Sequence, residues 1–350
     1  MNRSFWANRR VFLTGHTGFK GGWLALWLQD MGASVFGFAL EPPTTPNLFS
    51  VGGVDSFMMS SVIADIRDHE AVAAALIAAK PEIVFHLAAQ PLVRLGYQQP
   101  LETFATNVLG TVSVLEAART SAGVRAIVNV TTDKCYENRE WHWSYRENDG
   151  LGGFDPYSSS KACAELVTSA YRNSFLHRAG VGVASVRAGN VIGGGDWAVD
   201  RLIPDFFRAM ERQETLVIRS PEAVRPWQHV LEPISGYLTL AEKLFNDREG
   251  YAEAWNFGPA EDDSRSVGWI VERMASVYQD ARWVRDTQPQ PHEAQQLRLD
   301  SSKAKSRLGW KPRWTLEQAL DRTLEWHGAW TRGCDMRAFS LNQIRAYEAI

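Results

Sequence analysis

The stretch Thr14-Gly15-His16-Thr17-Gly18-Phe19-Lys20-Gly21 decides the fold. It lies between a short apolar run at residues 10–14 and a segment, residues 21–31, that carries apolar residues at helical spacing. Glycines let the backbone turn tightly and approach a phosphate, and the start of the following helix presents unpaired N–H groups and a partial positive charge. Glycine spacing alone is a weak signal, but its position between a strand and a helix predicts a dinucleotide-binding turn.

The alternation of strand and helix continues through the first half of the chain. Strands are predicted at residues 34–40, 82–87, 125–131 and 181–187, with a strand-like segment at 57–63, and helices at 68–79, 101–121 and 157–178. Repeated right-handed βαβ units are the economical topology for such a pattern. The sequence therefore predicts an α/β fold with a doubly wound parallel sheet of the Rossmann type.

The character of the sequence changes after about residue 189, where glycines, prolines and short mixed segments replace the regular alternation. We therefore predict a nucleotide-binding domain over residues 1–188 and a smaller C-terminal substrate domain over residues 189–350. Segments within residues 226–258 could return to the sheet, so the two domains are expected to interleave.

The composition is that of an ordinary globular protein. Of 350 residues, 45% are hydrophobic, and 37 basic against 40 acidic side chains leave a net charge of −3. This balance gives no electrostatic reason to expect nucleic acid or a membrane surface as a partner. The three cysteines, Cys135, Cys163 and Cys334, lack metal-ligand spacing. Because no apolar stretch has the length of a signal peptide or membrane span, we expect a cytoplasmic protein. We also expect no metal site.

Two acidic residues follow predicted strands and could bind the adenosine half of a dinucleotide. Glu41 lies about 20 residues beyond Gly21, the spacing at which a carboxylate bonds the ribose hydroxyls. No arginine occupies that stretch to receive a 2′-phosphate, so the sequence favours NAD over NADP. Glu41 could equally be an exposed loop residue, since two prolines follow it. Asp65, next to Ile66, could bound the adenine or could cap the next helix.

Tyr157 and Lys161 are four residues apart and would share one face of a helix. The spacing alone is modest evidence, but the pair opens a predicted helix after Asp155-Pro156. A tyrosine, with an ordinary pKa of about 10, needs an adjacent cation before its phenolate can serve as a base near neutral pH. This requirement suggests a Tyr/Lys pair that acts in proton transfer.

The segment Thr131-Thr132-Asp133-Lys134 follows a predicted strand, at the carboxyl end where open α/β sheets place their sites. It brings a hydroxyl, an acid and an amine together. Such a run could be an ordinary polar turn. Beside a nicotinamide site and a Tyr/Lys pair, the catalytic interpretation is favoured.

These residues together resemble the extended short-chain dehydrogenase/reductase superfamily, whose members act on nucleotide-diphosphate sugars. The resemblance spans nearly the whole chain and is carried by the glycine turn, Leu87-Ala88-Ala89-Gln90, Asn107, Thr132 and Tyr157-x-x-x-Lys161. Within it, Thr132-Asp133 resembles the motif of the nucleotide-sugar 4,6-dehydratases, where the third residue is commonly Glu and is here Lys134. The runs 41–44, 132–136, 187–197 and 225–229 are similar to dehydratases that act on CDP-glucose in bacterial dideoxyhexose and O-antigen lipopolysaccharide pathways.

The resemblance implies roles for individual residues. It implies an NAD site formed by Gly15, His16, Thr17, Gly18, Phe19, Lys20, Glu41, Asp65, Ile66, Leu87, Ala88, Ala89, Gln90, Asn107, Thr131, Tyr157 and Lys161. It implies a sugar-nucleotide site formed by Thr132, Asn190, Arg201, Arg219, Arg225 and His292. Arginine suits a diphosphate because its fork donates two bonds at once.

The resemblance also implies a reaction without net oxidation. Tyr157, supported by Lys161, would take the proton of the C4 hydroxyl during oxidation at C4, with Thr132 holding the C4 oxygen. Asp133 would then protonate the departing C6 hydroxyl, while Lys134, or a water that it orients, removes the C5 proton. The hydride would return to C6.

Other functions remain compatible with the sequence. A nucleotide-sugar 4-epimerase or 4-reductase needs the Tyr/Lys pair but no acid beside Thr132, so Asp133 favours elimination. A catalytically silent NAD-binding regulator would not need Tyr157 or Lys161. The cytosine base of the substrate rests on the resemblance alone. The helices predicted at 101–121 and 157–178 resemble those that pair in related dimers, and a homodimer or homotetramer is expected.

Overall fold

The computed structural model describes residues 2–278, 281–290, 292 and 294–350. The strands are β1 (Arg10–Thr14), β2 (Ser34–Ala39), β3 (Ser60–Ile63), β4 (Ile83–His86), β5 (Ala126–Val130), β6 (Gly182–Ala188), β7 (Val191–Ile192), β8 (Leu216–Ile218), β9 (Val224–Pro226), β10 (Gln228–His229), β11 (Ala254–Phe257), β12 (Ser264–Ser266) and β13 (Trp283–Arg285). The helices are α1 (Arg3–Trp6), α2 (Phe19–Asp30), α3 (Leu48–Val51), α4 (His69–Ala79), α5 (Val93–Gln98), α6 (Pro100–Phe104), α7 (Gly110–Thr120), α8 (Pro156–Tyr171), α9 (Leu202–Glu211), α10 (Leu231–Asn246), α11 (Arg248–Tyr251), α12 (Val267–Ala275), α13 (Leu316–Thr331) and α14 (Met336–Glu348).

Seven strands form one parallel sheet in the order β11-β6-β5-β4-β1-β2-β3. Strands β4, β5 and β6 are buried along their whole length, as expected for a parallel sheet that is covered on both faces. The chain reverses its direction of progress across the sheet between β1 and β4. Such a switch point forms a crevice outside the carboxyl ends of the strands, where ligands bind. The predicted doubly wound α/β fold is confirmed.

Two helical layers cover the sheet. Helices α4 and α7 pack with Phe12, Phe38 and Ile127 on one face, and residues of α8 join the edge of this cluster. Helices α2, α10 and α14 pack on the other face, around Leu13, Phe85 and Val128. Both layers are apolar, and burial of this surface is the main favourable term in folding.

The structure divides the two long helices that the sequence predicts. The helix predicted at 101–121 is α6, a π-helical turn at Ala105–Leu109, and α7. The helix predicted at 157–178 is α8 followed by a π-helical turn at Arg172–Leu176. The turn at Ala105–Leu109 places Asn107 in the protein interior, and π-helical turns of this kind often occur at functional sites.

The second half of the chain forms short paired strands and helices. β7 pairs with β10, β8 with β13 and β9 with β12, and α9, α12 and α13 contribute to a separate apolar cluster. However, β11 returns to the main sheet beside β6, and α10 packs on β5 and β6. The return falls within residues 226–258, and the domain limits at residues 188 and 189 stay a prediction.

The turn after β1 depends on close backbone contacts between glycines. A Cβ atom added to Gly21 would lie 2.0 Å from the carbonyl oxygen of Gly15. Gly15 has a φ of +77°, and a Cβ atom there would lie 2.7 Å from the amide nitrogen of Ala88. These contacts hold the start of α2 against the ends of β1 and β4.

We expect Gly21→Ala to destabilise the protein and Gly18→Ala to change its stability little. An added Cβ at Gly21 meets backbone that cannot move aside, so the cost should reach the upper end of about 1–3 kcal/mol. At Gly18 the added Cβ would lie 3.4 Å from the oxygen of Gly15, an ordinary contact. Urea unfolding of both variants without cofactor gives the comparison. Equal midpoints for the two variants would contradict this account of the turn.

Candidate active site

A cleft of about 1020 Å³ opens at the carboxyl ends of the parallel strands. Its floor is formed by the glycine turn and by the ends of β2, β4 and β5, and its far wall by segments of the second half of the chain. The volume is at the upper end of the range for small-molecule sites. The cleft therefore has room for more than one small ligand.

The glycine turn presents an anion-binding surface to this cleft. Gly15, Gly18 and Phe19 line it, and the N-terminus of α2 has no side-chain cap. The first N–H groups of α2 are thus left for a ligand, and the helix dipole favours a negative charge there. The geometry fits a pyrophosphate held by the backbone.

Lys20 adds a cation at the same place. Its amine lies 3.5 Å from the Tyr237 hydroxyl, and the residue is half-buried in the lining of the cleft. Burial lowers the pKa of Lys20 to about 7; the charges of Lys161 and Arg201 lower it further, and Asp133 raises it. The amine is therefore poised between its charged and neutral forms near neutral pH.

The residues predicted to bind adenosine line one end of the cleft. Glu41 is exposed there, and Asp65 and Ile66 lie opposite. Asp65 accepts a hydrogen bond from the backbone N–H of Arg67 and forms an ion pair with its guanidinium. Asp68, and not Asp65, caps α4. Asp65 is thus placed at the cleft and is not needed as a helix cap.

Three predicted cofactor residues have side chains behind the cleft wall. Leu87, Ala88 and Ala89 line the wall itself, whereas His16, Gln90 and Asn107 do not. The side chain of Asn107 bonds both the N–H and the carbonyl of Gln90 and donates to the Ser160 hydroxyl. His16 instead contacts the Ser61 hydroxyl at 2.7 Å. These three side chains support the wall from behind.

Tyr157 and Lys161 face the cleft from the first two turns of α8. Asp155 caps this helix and Pro156 occupies its first position, so the sequence itself fixes where the helix begins. Burial raises the pKa of Tyr157 to about 12, the hydrogen bond with Thr132 lowers it, and Asp133 raises it. The sequence suggested that Lys161 would lower this pKa. In the structure the Lys161 amine instead donates to the Val130 carbonyl at 3.3 Å.

Thr132, Asp133 and Lys134 form a short turn at the end of β5, and all three line the cleft. The Thr132 hydroxyl donates to Asp133 Oδ1 at 3.0 Å and accepts the backbone N–H of Lys134 at 3.3 Å. Asp133 is buried, and its Oδ2 has no hydrogen-bond partner among the described residues. A buried carboxylate oxygen of this kind is available to a ligand.

Glu165 lies four residues beyond Lys161 on α8 and was missed by the sequence analysis. Its carboxylate accepts hydrogen bonds from Thr131 at 2.5 Å, Ser185 at 2.6 Å and Arg187 at 2.9 Å. Burial raises the pKa of Glu165, but the charge and hydrogen bonds of Arg187 and the two hydroxyls lower it overall. The repeated spacing of four from Tyr157 to Lys161 to Glu165 was a signal that could have found it.

The negative charge of Glu165 acts on Lys161. Burial lowers the pKa of Lys161 to about 8, and Glu165 opposes that shift. The ion pair with Arg187 places this charge directly behind the cleft.

The predicted sugar-nucleotide residues all line the cleft; they are Thr132, Asn190, Arg201, Arg219, Arg225 and His292. Arg201 pairs with Asp196 at 2.8 Å, and Arg219 lies 3.6 Å from Asp200. Arg225 is buried and donates to the backbone carbonyls of Val224 and Ala294.

Other residues that line the cleft could not be found from the sequence. Arg94, Tyr97 and Asp200 line the cleft, and Arg94 pairs with Asp200 at 2.9 Å. Tyr97 donates its hydroxyl hydrogen to the carbonyl of His292. Since α5 carries Arg94 and Tyr97 outside any motif, and Asp200 lies in the turn before α9, no sequence signal pointed to these three residues.

Two kinds of feature are absent from the part of the chain that the structure describes. Its His, Cys, Asp and Glu side chains form no group of three that could hold a metal ion. Within the same residues, every helix is too short or too polar to cross a membrane.

The cleft combines a phosphate-binding turn, a Tyr/Lys pair and an acid. Comparison with known families identifies the class of protein that has this combination. The model of the GDP-mannose 4,6-dehydratase family matches residues 12–323, and the chain belongs to that family. A closely similar relative is the CDP-glucose 4,6-dehydratase of Salmonella typhimurium, 54% identical over 353 residues, or 99% of this chain and 98% of the relative.

Solved structures share the fold. An epimerase, Mth375 from Methanothermobacter thermautotrophicus, has a TM-score of 0.79 at 23% identity over 94% of this chain and 95% of its own. MoeE5 in complex with UDP-glucuronic acid and NAD has a TM-score of 0.76 at 25% identity, over 91% of this chain and 98% of its own.

Replacement of Lys20 by Met should stabilise the cofactor-free protein, most strongly at low pH. The pKa of Lys20 falls from its ordinary 10.5 to about 7 on folding. The unfolded chain therefore binds more protons between these values, and the penalty of burying the ammonium is full below pH 7 and disappears as pH approaches 10.5. Thermal unfolding at pH 6.5 and pH 9 measures the difference.

The matched control is Lys243→Met, which changes an exposed lysine on α10. The margin between parent and Lys20→Met should be larger at pH 6.5 than at pH 9, whereas Lys243→Met should give the same small margin at both. An equal margin for Lys20→Met at both pH values would show that its ammonium is not desolvated.

Proposed function

We propose that the chain is an NAD-dependent nucleotide-sugar 4,6-dehydratase that converts CDP-glucose to CDP-4-keto-6-deoxyglucose with loss of water. The single observation that carries the proposal is the convergence of Tyr157, Thr132 and Asp133 in one cleft, where the Thr132 hydroxyl donates to Asp133. Oxidation at C4 needs a base and elimination across C5–C6 needs an acid. The site holds one candidate for each, Tyr157 for the base and Asp133 for the acid.

The described residues fit NAD. The glycine turn and the uncapped start of α2 suit its pyrophosphate, and Glu41 and Asp65 lie where its adenosine would end. Bound NAD would supply the acceptor for the hydride of C4 and the donor of the hydride to C6. Lys161 and the end of β4 would hold its nicotinamide half beside Tyr157.

The side chains of this protein then move the protons. Tyr157 takes the C4 hydroxyl proton, Lys161 supports the phenolate, and Thr132 holds the C4 oxygen. The ketone acidifies the C5 proton, which Lys134 or a water that it orients removes. Asp133 protonates the departing C6 hydroxyl through its unpartnered Oδ2. A carboxylic acid suits this step, because hydroxide is a poor leaving group without a proton.

Three arginines suit the substrate side of the cleft. Arg201, Arg219 and Arg225 line it, and their forks can each donate two bonds to a diphosphate. The choice of the cytosine base rests on the relative from Salmonella typhimurium, which is 54% identical over nearly the whole chain.

A panel of CDP-, dTDP-, UDP- and GDP-glucose tests this function directly. We expect the 4-keto-6-deoxy product from CDP-glucose, with kcat/KM at least about tenfold above the other three, a difference of about 1.4 kcal/mol in transition-state binding. Product formation is followed by nuclear magnetic resonance. Inversion at C4 with the C6 hydroxyl retained would assign a 4-epimerase instead, and conversion of none of the four sugars would contradict the proposal.

Asp133→Asn should block dehydration while it leaves oxidation at C4. The amide cannot give up a proton to the C6 oxygen, but it does not touch the base at Tyr157. In a single turnover we expect reduced cofactor to accumulate without the 6-deoxy product, and kcat to fall about 10²–10⁴-fold. Tyr157→Phe is the comparison, since it should abolish both signals. Equal loss of both signals in a folded Asp133→Asn variant that still binds substrate would refute this division of roles.

We further infer that two copies of the chain pair through α7 and α8, with a tetramer as the alternative. Leu101, Leu109, Leu166 and Phe175 are large apolar side chains exposed on and beside these adjacent helices, and Leu101 is 84% exposed. Exposed apolar clusters often mark interfaces.

We also propose that the enzyme is cytoplasmic and that it supplies a 4-keto-6-deoxy sugar to bacterial O-antigen synthesis.

A further inference from the structure

The loop at residues 137–146, which precedes α8 and is called the aromatic loop below, contacts a strip of backbone at residues 294–296. Glu140 of this loop is exposed, and its carboxylate accepts hydrogen bonds from two successive N–H groups of the strip. It bonds the N–H of Gln295 at 2.9 and 3.1 Å and the N–H of Gln296 at 2.7 Å. Hydrogen bonds to a charged acceptor are stronger than those to a neutral one. One side chain of the loop thus fixes the backbone of the strip.

The other edge of the strip faces Arg225, which is 3% exposed and lines the cleft. The Arg225 guanidinium donates to the backbone carbonyl of Ala294 and, at 3.3 Å, to that of Gln295. The Gln295 carbonyl also accepts the N–H of Val224 at 2.9 Å. The strip is therefore held between the aromatic loop on one side and β9 on the other.

The same two peptide groups make both sets of contacts. The carbonyl of Ala294 and the N–H of Gln295 belong to one peptide group, and the carbonyl of Gln295 and the N–H of Gln296 belong to the next. Each group accepts a hydrogen bond from the guanidinium and donates one to the carboxylate. Its dipole thus lies between a cation and an anion, and hydrogen bonds in such a series strengthen one another.

We propose that Glu140 is a positioning residue of the sugar-nucleotide site, which orients the Arg225 guanidinium through the two peptide groups of the strip. The inference rests on the proposed function and deepens it. It assigns part of the affinity for the nucleotide diphosphate to a residue that does not line the cleft.

The backbone of the aromatic loop is shaped for this contact. Glu140 has a φ of +51°, a conformation that residues other than glycine seldom adopt. Its N–H donates to Asn138 Oδ1 at 2.9 Å, and the Asn138 amide in turn donates to the Gln296 carbonyl at 3.0 Å. Strained backbone persists where the surrounding contacts stabilise it, and it is common at functional sites. The strain here turns the Glu140 carboxylate toward the strip.

The aromatic loop has supports of its own that do not involve Glu140. The Tyr145 hydroxyl accepts the N–H of Arg139 at 2.7 Å and donates to Asn138 Oδ1 at 2.9 Å. The buried Tyr145 ring also stacks on Tyr136, with 5.2 Å between the ring centroids. Removal of the Glu140 carboxylate should therefore release the strip and leave the loop and the fold in place.

Glu140→Ala tests the proposal, and Glu137→Ala is the matched control. Glu137 is an exposed acid of the same loop, and its carboxylate pairs with Arg139 at 3.1 Å at the surface. The measurements are kcat and KM with CDP-glucose, and the Kd of CDP by titration calorimetry. The Kd of NAD and thermal unfolding confirm that each variant is folded.

We expect Glu140→Ala to raise the KM for CDP-glucose and the Kd of CDP about tenfold, with kcat within about twofold of the parent. The lost interaction acts equally on bound substrate and transition state, so it changes KM and not kcat. Glu140→Gln keeps one acceptor oxygen and should lie between parent and alanine variant; it carries the test if Glu140→Ala does not fold. Unchanged KM and Kd in the folded Glu140 variants, or an equal rise in Glu137→Ala, would overturn the proposal.

A double-mutant cycle shows whether the effect passes through Arg225. In an Arg225→Ala background, Glu140→Ala should raise KM no further, since the guanidinium that Glu140 orients is gone. A rise by the same factor in both backgrounds would show that Glu140 acts by another route and would contradict the proposal.

Failure of the proposed function is distinguishable from failure of this inference. If the unmodified protein makes no 4-keto-6-deoxy product from CDP-glucose, the function itself is wrong. If it makes that product and Glu140→Ala keeps the parental KM, the positioning role alone is wrong.

Discussion

The ion pair between Glu165 and Arg187 is the interaction on which the arrangement of the site depends. Both side chains are 3% exposed, and two buried hydroxyls complete the coordination of the carboxylate. The pair connects α8 to β6, while Thr131 brings in the end of β5. Tyr157 and Lys161 are thereby fixed relative to Thr132 and Asp133. A buried pair adds little net stability, because desolvation offsets the attraction, but removal of one partner is strongly destabilising.

The electrostatics of the cleft depend on where its charges lie. Three lysines and four arginines line it, and seven acidic side chains line it as well, so the formal charges of the lining balance. Burial lowers the pKa values of Lys20 and Lys161. Binding of an anion is therefore favoured locally, at the uncapped start of α2 beside Lys20, and not by an excess of cations in the cleft as a whole.

Much of the fold could be predicted from the sequence, because each step used a local pattern. The apolar run at residues 10–14 and the glycines after it are typical of a strand that leads through a tight turn into a helix. The bounds of β1 and α2 agree closely with this prediction. The π-helical turns could not be predicted, since they depend on what packs against the helix. The return of β11 to the sheet was expected only as a possibility, because a four-residue strand carries little periodicity.

The site was less predictable than the fold. The spacing of Tyr157 and Lys161 and the position of the Thr132 segment after a predicted strand pointed to a site. In the structure these residues line one cleft. Glu165 had a spacing signal that was not used. Arg94, Tyr97 and Asp200 had none, because only the tertiary fold brings α5 together with Asp200 and His292 at the cleft. The side chains of His16, Gln90 and Asn107 lie outside the lining of the cleft, and their part in cofactor binding stays a prediction.

In the proposed reaction, oxidation at C4 and reduction at C6 occur within one turnover on one bound sugar. Incubation of the protein with CDP-glucose that carries deuterium at C4, followed by location of the label in the product by nuclear magnetic resonance, tests this directly. We expect deuterium in the C6 methyl group, with no net reduction of cofactor. A product that lacks deuterium at C6, with reduced cofactor accumulating in proportion, would contradict it.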